Sequence, residues 1–212
     1  MLNGFRNILC ILAVSAIFSP GLYAQPGMSH SQRTAYIKEL DGERKQKDEE
    51  MRTAEKSPLP ADAKAGFRGL NYFGGSPEYQ VKAILKRFDD PITFSMKTTT
   101  DRLPEYRLFG EASFTLKGEP WVLEVYQNVE LSKKPGYADY LFIPFNDRTN
   151  GRATYGGGRF IDARIPEGDT LIIDFNRAYN PYCAYNHKYS CPVPPDKNNL
   201  ETKIKAGEKK FH

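Results

Sequence analysis

From about Phe67 onward the chain is interrupted every few residues by Gly, Pro, Asn or Asp, and between the interruptions stand short runs of β-branched, aromatic and alternating apolar residues. Such runs cover residues 79–88, 92–98, 105–116, 120–129, 139–145, 159–165 and 170–176. No segment between them has the length and period of a crossover helix, and a parallel connection takes about a dozen residues or more. The pattern therefore predicts a mainly β fold with antiparallel pairing. Periodicity leaves open an antiparallel β-sandwich or a partly closed β-barrel with an N-terminal helix. Lys117-Gly118-Glu119-Pro120 reads as a hairpin turn between two of the better strands.

The helix is predicted over 31–53. Ser29-His30-Ser31-Gln32 supplies a capping box. Ala35, Tyr36, Ile37 and Leu40 give its front half an apolar face, whereas Asp41 to Glu50 is almost wholly charged, so the expectation is a docked front and a solvated extension. Ser57-Pro58-Leu59-Pro60 then breaks the helix.

Ahead of the helix, Arg6 is followed by an apolar run from Ile8 to Phe18, too short for the about 20 residues of a membrane span. Ser19-Pro20 and the small residues around Ala24 complete the pattern of a signal peptide, cleaved after Ala24 and taking Cys10 with it. The organisation expected is a signal peptide (1–24), a leader, charged helix and Pro-rich linker (25–60) and a single β-rich domain (61–212). The exported chain would be periplasmic or extracellular, without a transmembrane segment. The formal net charge of +4 falls by one when Arg6 leaves. Basic and acidic residues are interspersed, which argues against nucleic acid as a partner.

Three stretches could carry chemistry. In 170–176, alternation puts Asp174 and Asn176 on one strand face, continuing into Arg177, Tyr179 and Asn180. In 144–159, Asp147, Arg148, Tyr155 and Arg159 surround a glycine run whose spacing does not fit a phosphate loop. The arginines could present planar donors to an anion and Tyr155 could stack on a ring. Bracing of loops by the same polar groups is the alternative for both. The third stretch holds Cys183 and Cys191, which in an exported chain predict a disulfide. A zinc site with His187 is the alternative, but it lacks an obvious fourth ligand. No serine sits in a nucleophile elbow. Carboxylate pairs for hydrolysis could come from Glu124, Asp147, Asp162 and Asp174.

The strings Asp147-Arg148-Thr149-x-Gly151, Thr154-Tyr155-Gly156-Gly157-Gly158-Arg159 and Asp174-Phe175-Asn176-x-Ala178-Tyr179-Asn180-Pro181-x-Cys183 resemble an uncharacterised bacterial family, domain of unknown function number 1684. The likeness continues through Cys191-Pro192-x-Pro194-Pro195 and 206–209, and spans about 67–209. Where family members commonly carry Arg, this chain has Asn199. The resemblance implies no activity. The expected function is a binding module for a small polar or anionic ligand, such as a saccharide or envelope fragment, held by Asp147, Arg148, Tyr155, Arg159, Asp174, Asn176, Tyr179 and Asn180. A hydrolase-like enzyme using Asp147 or Asp174 as acid or base is the second expectation. No cofactor or metal is expected.

Overall fold

The structure, a computed structural model, describes residues 28–211, so the predicted signal peptide lies outside the described residues. Helix α1 is His30–Thr53. The Ser29 hydroxyl accepts from the Gln32 amide at 3.3 Å and the Gln32 side chain accepts from the Ser29 amide at 2.8 Å, so the predicted capping box is formed. A short helix α2, Ala61–Gly66, follows the Pro-rich break. The strands are β1 (Gln80–Arg87), β2 (Thr93–Ser95), β3 (Glu105–Leu116), β4 (Glu119–Asn128), β5 (Tyr140–Asp147), β6 (Arg159–Arg164), β7 (Thr170–Asp174) and β8 (Asn199–Leu200). A single-turn helix α3, Val129–Ser132, lies between β4 and β5.

All the strands belong to one sheet in the order β6-β5-β4-β3-β1-β7, with β2 added to β3 and β8 to β5. Pairing is antiparallel throughout except for the two residues of β8, which run parallel to β5. A sandwich needs two sheets; this one curls into a half-barrel instead. Its edges approach where Phe160 and Tyr179 exchange backbone hydrogen bonds of 2.9 and 3.0 Å, joining β6 to the segment after β7. The predicted turn is a two-residue hairpin, with Lys117 at φ 55° and Gly118 at φ 84° between paired Leu116 and Glu119. Positive φ at both central residues matches the twist of the flanking strands.

Alternation assigns the two faces. Ala83, Phe114, Leu123, Ile143, Phe145 and Ile173 point into the half-barrel, where Ile204 and Ala206 from the C-terminal tail fill the interior beside Phe175. The other face carries a second cluster of Met96, Tyr106, Tyr126, Phe142 and Phe160. One irregularity makes this division possible. In β3, Leu108 pairs with Tyr126 but Gly110 pairs with Val125, so Phe109 is an extra residue. The bulge reverses the parity of the strand, putting Tyr106 and Leu108 on the outer face and Ala112, Phe114 and Leu116 inside.

The far half of α1 is not merely solvated as the charge run predicted. Tyr36, Leu40 and also Met51 are buried. Between them, Arg177 pairs with Glu39 at 2.9 Å and Glu43 at 2.8 Å, and the Asp48 carboxylate accepts from the Leu70 amide at 2.9 Å. Part of the charge run serves docking because the domain offers it groups of opposite character, the Arg177 guanidinium and the Leu70 amide.

A Cβ built on Gly110 would stand 2.3 Å from the Lys86 carbonyl oxygen in β1. Gly110→Ala is therefore expected to lower stability by about 1–3 kcal/mol through strand displacement, read as a lower denaturant midpoint. Gly42→Ala, in open space on α1, should raise it by roughly 0.5–1 kcal/mol.

Candidate functional site

The residues singled out from the sequence occupy separate places. Asp147 and Arg159 form an ion pair of 2.8 Å, both side chains at 0% exposure. Asp147 also accepts from the amides of Thr149 at 2.7 Å and Ile204 at 3.2 Å, and Arg159 donates to the carbonyls of Ile204, Ala206 and Glu208. Arg148 turns the opposite way, into solvent, and meets Glu201. Asp174 lies under α1, accepting from the Tyr36 hydroxyl at 2.8 Å, Gln80 at 3.2 Å, the Asn176 amide at 3.0 Å and Arg177. By capping Asn176, Asp174 ends β7 in a turn, so the expected strand alternation stops there. Asn176 holds both backbone groups of Ser76. The Asn180 amide donates to Glu208 at 2.8 Å, and the Tyr155 hydroxyl is 3.7 Å from the Cys183 sulfur. Of the eight, Tyr179 alone lines the main concavity.

That concavity is an open cleft of about 450 Å³ on the outer face of β5 and β6. Its floor is aromatic: Phe142 and Phe160 meet edge to face at 4.8 Å, with Tyr106 at 5.7 Å from Phe142. Register places Asp162 opposite Phe142, on the same face as Tyr140 and Phe160. The hydroxyls of Tyr140 and Tyr179 both donate to Oδ1 of Asp162 at 2.6 Å. Burial and the neighbouring carboxylate push both phenols above their ordinary range, so they remain protonated donors at neutral pH. The exposed Asp162 keeps Oδ2 without a hydrogen bond among the described residues. Lys47 of α1 reaches the rim, its Nζ 4.7 Å from the Tyr179 ring centre and 2.7 Å from Glu208. The opposite wall holds Tyr182 and Tyr189, with ring centres 5.3 Å apart, and Cys191.

In the sequence Asp162 is only one of several carboxylates, and nothing local marks Lys47, Tyr140, Phe142 or Phe160 as its neighbours. The x-Tyr140-x-Phe142 and x-Phe160-x-Asp162 alternations were the available signal. Without the β5–β6 register they could not be placed together.

Cys183 and Cys191 are free thiols in the structure, both buried, and the Cys183 amide donates to the Cys191 sulfur at 3.2 Å. The expected disulfide is thus not formed, although the two residues are neighbours. The hydrogen bond from the Cys191 thiol, helped by the Tyr155 hydroxyl, draws the Cys183 thiol down to about 6 and raises that of Cys191. His187 is exposed. Among the described residues no group of three or more His, Cys, Asp and Glu side chains is placed to hold a metal. Among the same residues no helix is long and apolar enough to cross a membrane.

The fold is a half-barrel sheet whose interior is filled by the chain's own C-terminal tail. Residues 65–209 match the family described as protein of unknown function (DUF1684), and the chain belongs to that family. The chain is also similar to an uncharacterized protein of Haloarcula marismortui known from a solution NMR structure, at 35% identity and a TM-score of 0.64. That match covers 83% of this chain and 95% of the other. No curated protein matches.

Arg159→Ala should cost about 3–5 kcal/mol, because it strands the Asp147 carboxylate in the interior. Arg148→Ala should cost less than about 1 kcal/mol, since an exposed pair contributes little. Thermal and denaturant unfolding of the two variants checks the contrast. In the reduced protein, the Cys183 thiol is held below its unfolded value of about 8.5. Its stabilising contribution is therefore complete above the unfolded value and is lost as pH falls through about 6. The ultraviolet absorbance of the thiolate should show a midpoint near the lower value when folded, and the Cys183→Ser variant should lack it.

Proposed function

We propose that this protein is an exported binding module for a small ligand and that the ligand occupies the aromatic cleft. The observation that carries the reading is Asp162, whose Oδ1 is fixed by two tyrosine hydroxyls at 2.6 Å while Oδ2 is left for a ligand. A pocket of several hundred Å³ with apolar walls and few convergent polar groups is the usual form of a small-molecule site. The cleft supports this reading better than the surface inferred from the sequence, most of whose polar groups already have protein partners. A hydrolytic role for Asp147 is less well supported, because a general acid or base must reach substrate and Asp147 has 0% side-chain exposure. Asp174 is similarly enclosed.

Export and an oxidised Cys183–Cys191 pair belong to the same proposal. Their support is the apolar run before Ala24 and the proximity of the two sulfur-bearing side chains beside the cleft. Oxidation would fix the loop carrying Tyr189.

Titration of the isotope-labelled protein with a panel of small amphipathic molecules should move the amide signals of residues around Asp162, Tyr179 and Tyr189. Tyr182→Ala should weaken binding with little change in melting temperature, as Tyr182 is exposed. Shifts confined to other surfaces would overturn the assignment. Intact mass of the exported protein should correspond to cleavage after Ala24, with alkylation of Cys183 and Cys191 only after reduction.

A further inference from the structure

The cleft's charge and hydrogen-bonding capacity restrict the class of ligand. We infer that it takes a small organic cation, an alkylated ammonium seated against tyrosine faces with Oδ2 of Asp162 as counter-charge; this rests on the cleft being the ligand site. Three observations converge on that chemistry.

The first is the scarcity of groups that could satisfy a polyol. The hydroxyls of Tyr140 and Tyr179 are already committed to Asp162. Ser190 is engaged with Thr98, Thr100 and Arg102 at the rim. A neutral sugar would lose hydration from several hydroxyls and find, beyond the phenols of Tyr182 and Tyr189 on the opposite wall, few groups to replace it, which is unfavourable. An alkylated ammonium has no such requirement, because its hydration is weak and its charge is spread over apolar substituents.

The second is charge balance. Lys47 is matched by Glu208 at 2.7 Å, and Arg164, beside Tyr140, by Asp139 at 2.7 Å. Arg102 donates to the Ser190 carbonyl at 2.8 Å and Lys188 lies 5.3 Å from the Tyr189 ring centre, both exposed and directed to the wall opposite Asp162. Asp162, the one carboxylate lining the cleft, has no ion-pair partner among the described residues.

The third is that tyrosine faces here already accept cations: Lys47 lies 4.7 Å from the Tyr179 ring centre and Arg164 5.9 Å from that of Tyr140. Aromatic rings attract a cation through their quadrupole, and an aromatic cage with a carboxylate is a known solution for quaternary ammonium groups.

Choline and its uncharged isostere dimethylbutanol, in which carbon replaces the quaternary nitrogen, separate charge from shape. Titrated against the wild-type protein and followed by amide shifts of the cleft residues, choline should bind at least about tenfold tighter than the isostere. Asp162→Asn, at an exposed position, should remove most of that difference. Equal binding of the two, or binding of glucose but not choline, would overturn the cation assignment and leave the cleft as a binding site. Absence of cleft shifts with every probe would overturn both. The isostere comparison uses the unmodified protein, so it holds even if the substitution disturbs folding.

Discussion

The buried pair of Asp147 and Arg159 is the interaction on which the remaining architecture depends. It joins the end of β5 to the start of β6 and, through the guanidinium, to the carbonyls of Ile204, Ala206 and Glu208. One planar donor fork holds three carbonyls of the tail, which turns at Gly207 (φ 73°) between the last two. The tail is thereby drawn across the half-barrel, and Ile204 and Ala206 enter its core. An open curled sheet would otherwise expose that interior. A charge pair with no solvent access is costly unless every donor and acceptor is used, and here nearly all are; the Nε of Arg159 lacks a partner.

From the tail the same chain of contacts reaches the cleft. Glu208 accepts from the Asn180 amide and the Tyr185 hydroxyl, and pairs with Lys47 of α1. Tyr179, one residue from Asn180, is held to Phe160 by the bridge that closes the sheet edges. The cleft therefore has a wall built on β5 and β6, another on the segment after β7, and a rim contributed by α1. Its geometry depends on the docking of elements far apart in sequence, and a defect at Arg159 would propagate to it without touching a ligand. The polar docking of α1 gives the rim a different character: Arg177, with Glu39, Glu43 and Asp174 about it, binds the helix through partly exposed ion pairs, which salt screens.

Much of the framework was legible from local physical chemistry. The capping box at Ser29, the span of α1, the hairpin at Lys117-Gly118 and most of the strands follow from side-chain oxygens that satisfy free amides and from alternation of apolar residues, both of which act over a few positions. The family was also legible, because strings such as Thr154 to Arg159 are long and unusual. Their role was legible only as two alternatives, a ligand surface or braces for loops; in the structure Asp147, Arg159, Asp174 and Asn176 hold loops, the tail and α1.

What the sequence by itself determined was the class of fold, a mainly antiparallel β protein with a capped N-terminal helix, together with its family. Tertiary structure decided that the strands form one curled sheet, since edge closure depends on a bridge between Phe160 and Tyr179 that no local period encodes. It also decided which polar residues face a cavity. The β5–β6 register sets Asp162 on the face of Tyr140 and Phe160, and the Phe160–Tyr179 bridge brings Tyr179 to within 2.6 Å of it. Each is a long-range pairing, and a chain's local preferences do not specify which distant strand will lie beside it.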